Sequence, residues 1–144
     1  MNRLAVAALL SLVALGCESS AKAGEIPDPK TLYTAELKLS SADVKAGEGG
    51  TVVLSVRPKA GAHVKGETPF KALLAATGPV TIEKTELGFK DHTSIVEEGP
   101  VFEVPFKASA AGEGKLDADL SFYVCIAEAC VKTTEKLSTA VTVK

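Results

Sequence analysis

The feature that most constrains this chain is the stretch 116–130, Leu-Asp-Ala-Asp-Leu-Ser-Phe-Tyr-Val-Cys-Ile-Ala-Glu-Ala-Cys. Leu116, Ala118, Leu120, Phe122 and Val124 share one parity, and Asp117, Asp119, Ser121, Tyr123 and Cys125 share the other. That alternation is the pattern of a strand with one face in a core, and no helix accommodates it. The polar face ends in a thiol at Cys125, and a second thiol follows at Cys130. If the chain reverses between them, the two cysteines flank the turn at a separation compatible with a disulfide, which usually needs Cα atoms roughly 4.4 to 6.8 Å apart.

The amino terminus reads as an export signal. Arg3 supplies a positive start, residues 4–15 are apolar apart from Ser11, and Ala14-Leu15-Gly16 lead into Cys17. The apolar run is too short to span a bilayer. Small residues before a cysteine resemble the lipobox of bacterial lipoproteins, which implies cleavage at 1–16 and acylation of Cys17; the alternative is an ordinary secretory signal in which the cysteine is incidental. Glu18 stands where many inner-membrane lipoproteins carry aspartate, so an outer-membrane anchor facing the periplasm is expected. Residues 17–30, rich in Ser, Ala, Gly, Pro and charge, read as a tether, and 31–144 as one folded domain.

Without Arg3 the mature part carries 15 basic and 18 acidic residues, a balance of −3 spread along the chain. No basic cluster exists to meet a phosphate backbone, so nucleic acid is not expected as a partner. With Cys17 committed to lipid, Cys125 and Cys130 are left in a compartment where disulfides persist, to pair with each other or with another protein.

Strand signals recur along 31–144 with glycine-bearing turns between them. They fall at 32–39, at 51–56 with Val52, Leu54 and Val56 on one face, and at 80–87 with Val80 and Ile82 inward. Others follow at 101–107 with Phe102, Val104 and Phe106 inward, at 116–125, and at 137–143. Residues 70–76 fit either a strand or one helical turn. Residues 58–70, bounded by Pro58 and Pro69, predict a long loop with a short extended piece around His63 and Val64; 90–100 predict a plain connection. Pro105 implies an edge or a bulge. The sum is an all-β, immunoglobulin-like sandwich of about seven strands, built without tryptophan on aliphatic residues and five phenylalanines.

Four sets of residues carry a family resemblance: Gly61-Ala-His-Val-Lys-Gly-Glu-Thr-Pro-Phe; 80–87 with Asp91 beyond it; Phe102-Glu-Val with a glycine-containing turn after it; and Leu120-Ser-Phe-Tyr-Val-Cys with a second cysteine shortly after. Over 32–144 the chain resembles the amino-terminal periplasmic domain of DsbD-type thiol:disulfide interchange proteins. The resemblance implies an electron relay between a membrane-embedded donor and thioredoxin-like periplasmic proteins. It implies Cys125 and Cys130 as the redox pair, Cys130 forming the mixed disulfide, and Phe70 and Tyr123 as shielding aromatics, Phe70 on a cap loop; by its own apolarity Phe70 equally fits a core position. The sequence ends at Lys144 without a membrane conduit, so the donor is expected to be a separate protein and this one a monomer.

Two other readings stand beside the redox one. A static disulfide would pin the hairpin, although a loop of about six residues stabilises less than the roughly 3 kcal/mol of a 15-residue loop. Copper(I) or zinc would need the thiols together with His63 and His92. Those histidines sit on loops distant in sequence from the cysteines and from each other, so they are read as surface residues, with no cofactor and no metal site expected. Lys132, two residues past Cys130, favours a thiolate and Glu128 disfavours one. Mass spectrometry of the native protein is expected to show a mature terminus at Cys17 carrying acyl mass; a terminus elsewhere, or an unmodified Cys17, would remove the anchor.

Overall fold

Desolvation of one long strand sets the architecture. In the computed structural model, which describes residues 26–144, the signal sequence, Cys17 and most of the tether lie outside the described residues. A 3-10 turn at Pro29–Thr31 is followed by nine strands: β1 (Tyr33–Leu39), β2 (Gly49–Pro58), β3 (Lys71–Thr77), β4 (Val80–Ile82), β5 (Glu86–Gly88), β6 (Ser94–Val96), β7 (Gly99–Ala108), β8 (Gly112–Cys125) and β9 (Cys130–Val143). One antiparallel sheet runs β1-β2-β7-β4, with β6 also on β7; the other runs β5-β3-β8-β9. The protein is an all-β sandwich, as the alternation predicts.

The expected parity of β8 holds. Leu116, Ala118, Leu120, Phe122 and Val124 are all buried against Val52, Leu54, Val56, Phe102, Val104 and Phe106 of the facing sheet. Four of these β8 side chains are large, and each buried at roughly 1.5–3 kcal/mol stabilises by a sum comparable to a domain's net stability. Backbone groups of β8 pair on both sides, with β3 over residues 115–121 and with β9 along the entire strand.

Three local expectations are refined. The segment expected at 70–76 forms a strand, β3 (Lys71–Thr77), and not a helical turn. The single strand expected at 80–87 is two: β4 joins β7 in the first sheet and β5 joins β3 in the second. Val80 and Ile82 share one parity but Leu87 has the other, so no one straight strand buries all three and the chain crosses between layers at 83–85. Within the expected connection 90–100, β6 pairs Ser94–Val96 with β7. These short strands raise the count from about seven to nine.

Pro105 sits opposite Thr51 of β2, inside the sheet, at neither an edge nor a bulge. The other flank of β7 is open at that point, because β6 covers only 99–101 and β4 only 106–108. Glu103, of the same parity, sends its N–H into that gap, to the Thr93 hydroxyl 3.0 Å away. The N–H that proline lacks faces the gap, where no strand needs it.

The first and last strands close one side of the sandwich. Tyr33, 4% exposed, packs edge-on against Phe122 with ring centroids 5.0 Å apart. Its hydroxyl donates to the Glu135 carboxylate at 2.8 Å and lies 3.2 Å from the Thr133 hydroxyl. Burial above all, with the neighbouring Glu135 charge, pushes the phenol from 10.0 up to about 12. A folded pKa above the unfolded one means this contribution is complete below pH 10 and is lost as pH rises toward 12. Tyr33→Phe keeps the ring and removes the hydrogen bond to a charged group, so it should cost about 1–2 kcal/mol at pH 7. Urea unfolding of both proteins from pH 8 to 12 should show the gap between them narrowing above pH 10; a pH-independent gap would contradict this account.

Candidate functional site

The last rung of the β8–β9 ladder pairs Cys125 with Cys130, and they form a disulfide with Cα atoms 3.9 Å apart. The two residues sit directly opposite each other in the close, non-hydrogen-bonded type of antiparallel pair, since the backbone groups of Cys125 point away from Cys130. The turn 126–129 closes by a hydrogen bond from the Ile126 N–H to the Ala129 carbonyl, 2.8 Å.

The backbone of Cys125 pairs on its other side with His63. His63 N–H donates to the Cys125 carbonyl at 2.9 Å, and Cys125 N–H donates to the His63 carbonyl at 2.8 Å. The loop 59–70 therefore lies beside the hairpin as a short extra strand, matching the extended piece expected around His63 and Val64. Its alternation is local: Ala62 and Val64 are buried and His63 between them is half-buried.

Several restraints hold the loop. Gly61 takes a left-handed φ of +83° in the turn that closes from Ala62 N–H to the Lys59 carbonyl. A Cβ on Gly66 would come within 2.8 Å of the Phe89 ring. Val64 N–H donates to the Glu98 carbonyl at 3.0 Å. Glu98 and Glu97 both have positive φ, 65° and 50°, in the two-residue turn from β6 to β7. Such a conformation in non-glycine residues persists only where the surroundings fix it.

The two sulfur-bearing residues differ sharply in access. Cys125 is 2% exposed although it lies on the outward parity, because the loop covers it; Cys130 is exposed. Of the two thiol positions that flank the hairpin turn, Cys130 alone reaches solvent. An open hollow of about 360 Å³ lies over the pair, with His63, Lys65, Glu67 and Thr68 on the loop side and residues 125–130 on the other. Larger hollows, about 820 Å³ beside residues 47–51 and 670 Å³ beside Arg57 and Glu97, contain no cysteine or histidine.

Phe70 is placed in the core, stacked on Phe102 at 5.2 Å and tilted against Phe122 at 5.7 Å, and does not line the hollow. It anchors the end of the loop whose earlier residues cover Cys125. Tyr123, half-buried, is two residues before Cys125 on the same face of β8. His92 lies elsewhere: its Nδ1–H donates to the Phe89 carbonyl at 2.7 Å and its ring packs on Phe89. Among the described residues no three ligating side chains are grouped to hold a metal, and no helix is long and apolar enough to cross a membrane. The residue that sequence reasoning missed is His63, which it read as a surface histidine remote from the thiols.

No family model matches the chain, and no curated protein matches it. Among solved structures it is similar to part of the native conformation of E. coli alpha-2-macroglobulin, with a TM-score of 0.53, 14% identity and 78% of this chain covered. It spans 6% of that chain's length. A bacterial hydrophobin, BslA, gives a TM-score of 0.34 at 15% identity, covering 78% of this chain and 97% of its own. At this identity the first likeness shows the fold alone, and neither bears on the DsbD-type resemblance.

The covering loop and the β8–β9 ladder are held by backbone bonds and core packing independent of the sulfur bridge. Reduction should therefore cost only about 1–2 kcal/mol, scaled down from the loop-entropy estimate for longer loops. Urea unfolding with and without a phosphine reductant measures it; loss of the folded state on reduction would show the bond to be structurally required.

Proposed function

We propose that the protein exchanges thiols and disulfides through Cys125 and Cys130, relaying electrons to or from thioredoxin-like proteins. One observation carries this reading: a disulfide in an open hollow with one accessible cysteine and one covered by a loop. A static staple gains nothing from such asymmetry, whereas exchange requires a defined sulfur for attack.

A partner thiolate reaches Cys130. A new bond forms from the partner sulfur to Cys130 Sγ while the Cys125–Cys130 bond breaks, its electron pair departing on Cys125 Sγ. The mixed disulfide on Cys130 is resolved by the partner's second thiol, which leaves both cysteines of this protein reduced. In the reverse direction Cys130 attacks a partner disulfide and Cys125 resolves the intermediate. The export signal and acylated Cys17 expected from the sequence assign this exchange to the periplasm, on a monomeric, lipid-anchored protein of the outer membrane, with a separate membrane protein as donor.

Single cysteine variants test the reading. Cys125→Ala should trap a thioredoxin-like protein as a mixed disulfide, with at least about tenfold more adduct than Cys130→Ala. No adduct from either variant, together with a potential below about −300 mV, the range of inert structural bridges, would make the pair a staple.

A further inference from the structure

We propose that His63 supplies and removes the proton of Cys125 during exchange, an inference that rests on the redox reading above. His63, Cys125 and Cys130 occupy one row across three adjacent strand segments, each directly opposite the next. Directly opposite residues of an antiparallel pair project to the same face, with Cβ atoms roughly 4.5–5.5 Å apart. Ala62 and Val64 are buried on the other face, which fixes the imidazole on the side of the sulfurs. All three residues line the same hollow.

The chemistry needs such a group. Cys125 is 2% exposed, and burial disfavours the thiolate that forms when the disulfide opens. The charged groups lining the hollow are Lys65 and Glu67 on the loop and Glu128 in the hairpin turn, with Tyr123 and Lys132 paired two rungs away and Glu98 tied by its carbonyl to the Val64 N–H. The carboxylates oppose a thiolate, and the lysines and the tyrosine stand outside the rung of Cys125. Imidazole is the side chain suited to passing a proton near neutral pH, and His63 alone of these stands in that rung.

The step balances. As the partner thiolate bonds to Cys130 Sγ, the electron pair of the broken bond goes to Cys125 Sγ, and the imidazolium proton moves onto that sulfur, leaving neutral His63. In reverse, neutral His63 takes the Cys125 thiol proton, and the thiolate displaces the partner sulfur from Cys130. His63 is thus a proton-handling residue and not a nucleophile.

The test uses dithiothreitol as reductant, so its outcome does not depend on capturing a thioredoxin-like partner. The rate of disulfide opening, divided by the concentration of dithiothreitol thiolate, should fall about tenfold in the wild type as pH rises through the histidine range. In His63→Gln the same profile should be flat. In a Cys130→Ala background, ultraviolet titration should place the Cys125 thiol about one unit higher when His63 is also replaced. For a readout without any histidine variant, the His63 ring protons followed by NMR in the wild type should titrate at different pH in the oxidised and reduced forms. An unchanged rate profile in folded His63→Gln, or identical His63 titration in the two redox forms, overturns the proposal. Failure of the redox reading shows itself separately, as the absence of any trapped partner from either cysteine variant.

Discussion

Pairing of β8 on both of its edges is the constraint on which the rest depends. A strand buried on one face and flanked by neighbours cannot leave its N–H and C=O groups unmatched without a cost of 1–3 kcal/mol for each. β3 and β9 meet that demand along most of its length. At the end, where β3 no longer reaches, the loop residue His63 takes over and pairs with Cys125. The same requirement that builds the sheet therefore brings the loop onto the disulfide.

Much of the fold was legible because side-chain parity in a strand is a local property. The inward sets 52-54-56, 102-104-106 and 116 through 124 could be read off directly, and all are buried. What escaped was set by non-local demands. The break of parity between Ile82 and Leu87 was present in the sequence, but that it marks a crossing between layers follows only once both sheets exist. β6 pairs through a turn of two glutamates with left-handed backbone, where Asn-Gly or Asp-Gly would have announced a hairpin. Pro105 carried a correct message, an unused donor, yet the gap beside β7 and not a sheet edge supplied it.

The site was legible in part for the same reason. The cysteine pair and its turn are local, and they were found. The difference in access between the two sulfurs arises from a loop about 60 residues away in sequence, which periodicity cannot place. The role of Phe70 shows how the two scales meet: it belongs to the core by its contacts with Phe102 and Phe122, and through that anchorage it holds down the far end of the covering segment.

The closure of β1 against β9 also decides at which pole of the sandwich the first strand starts. Lys30 donates to the Thr134 carbonyl at 2.9 Å and Tyr33 reaches Glu135, so the start of β1 lies toward the same pole as the rung that carries the disulfide. Thr133 to Cys130 is three strand residues, about 10 Å. Lys144 lies at the opposite pole, its N–H bonded to the Val44 carbonyl. From Cys17 to Ile26 the contour is at most about 30 Å. A lipid on Cys17 would then act as a leash on the pole that carries the disulfide, confining that pole to a thin shell above the bilayer.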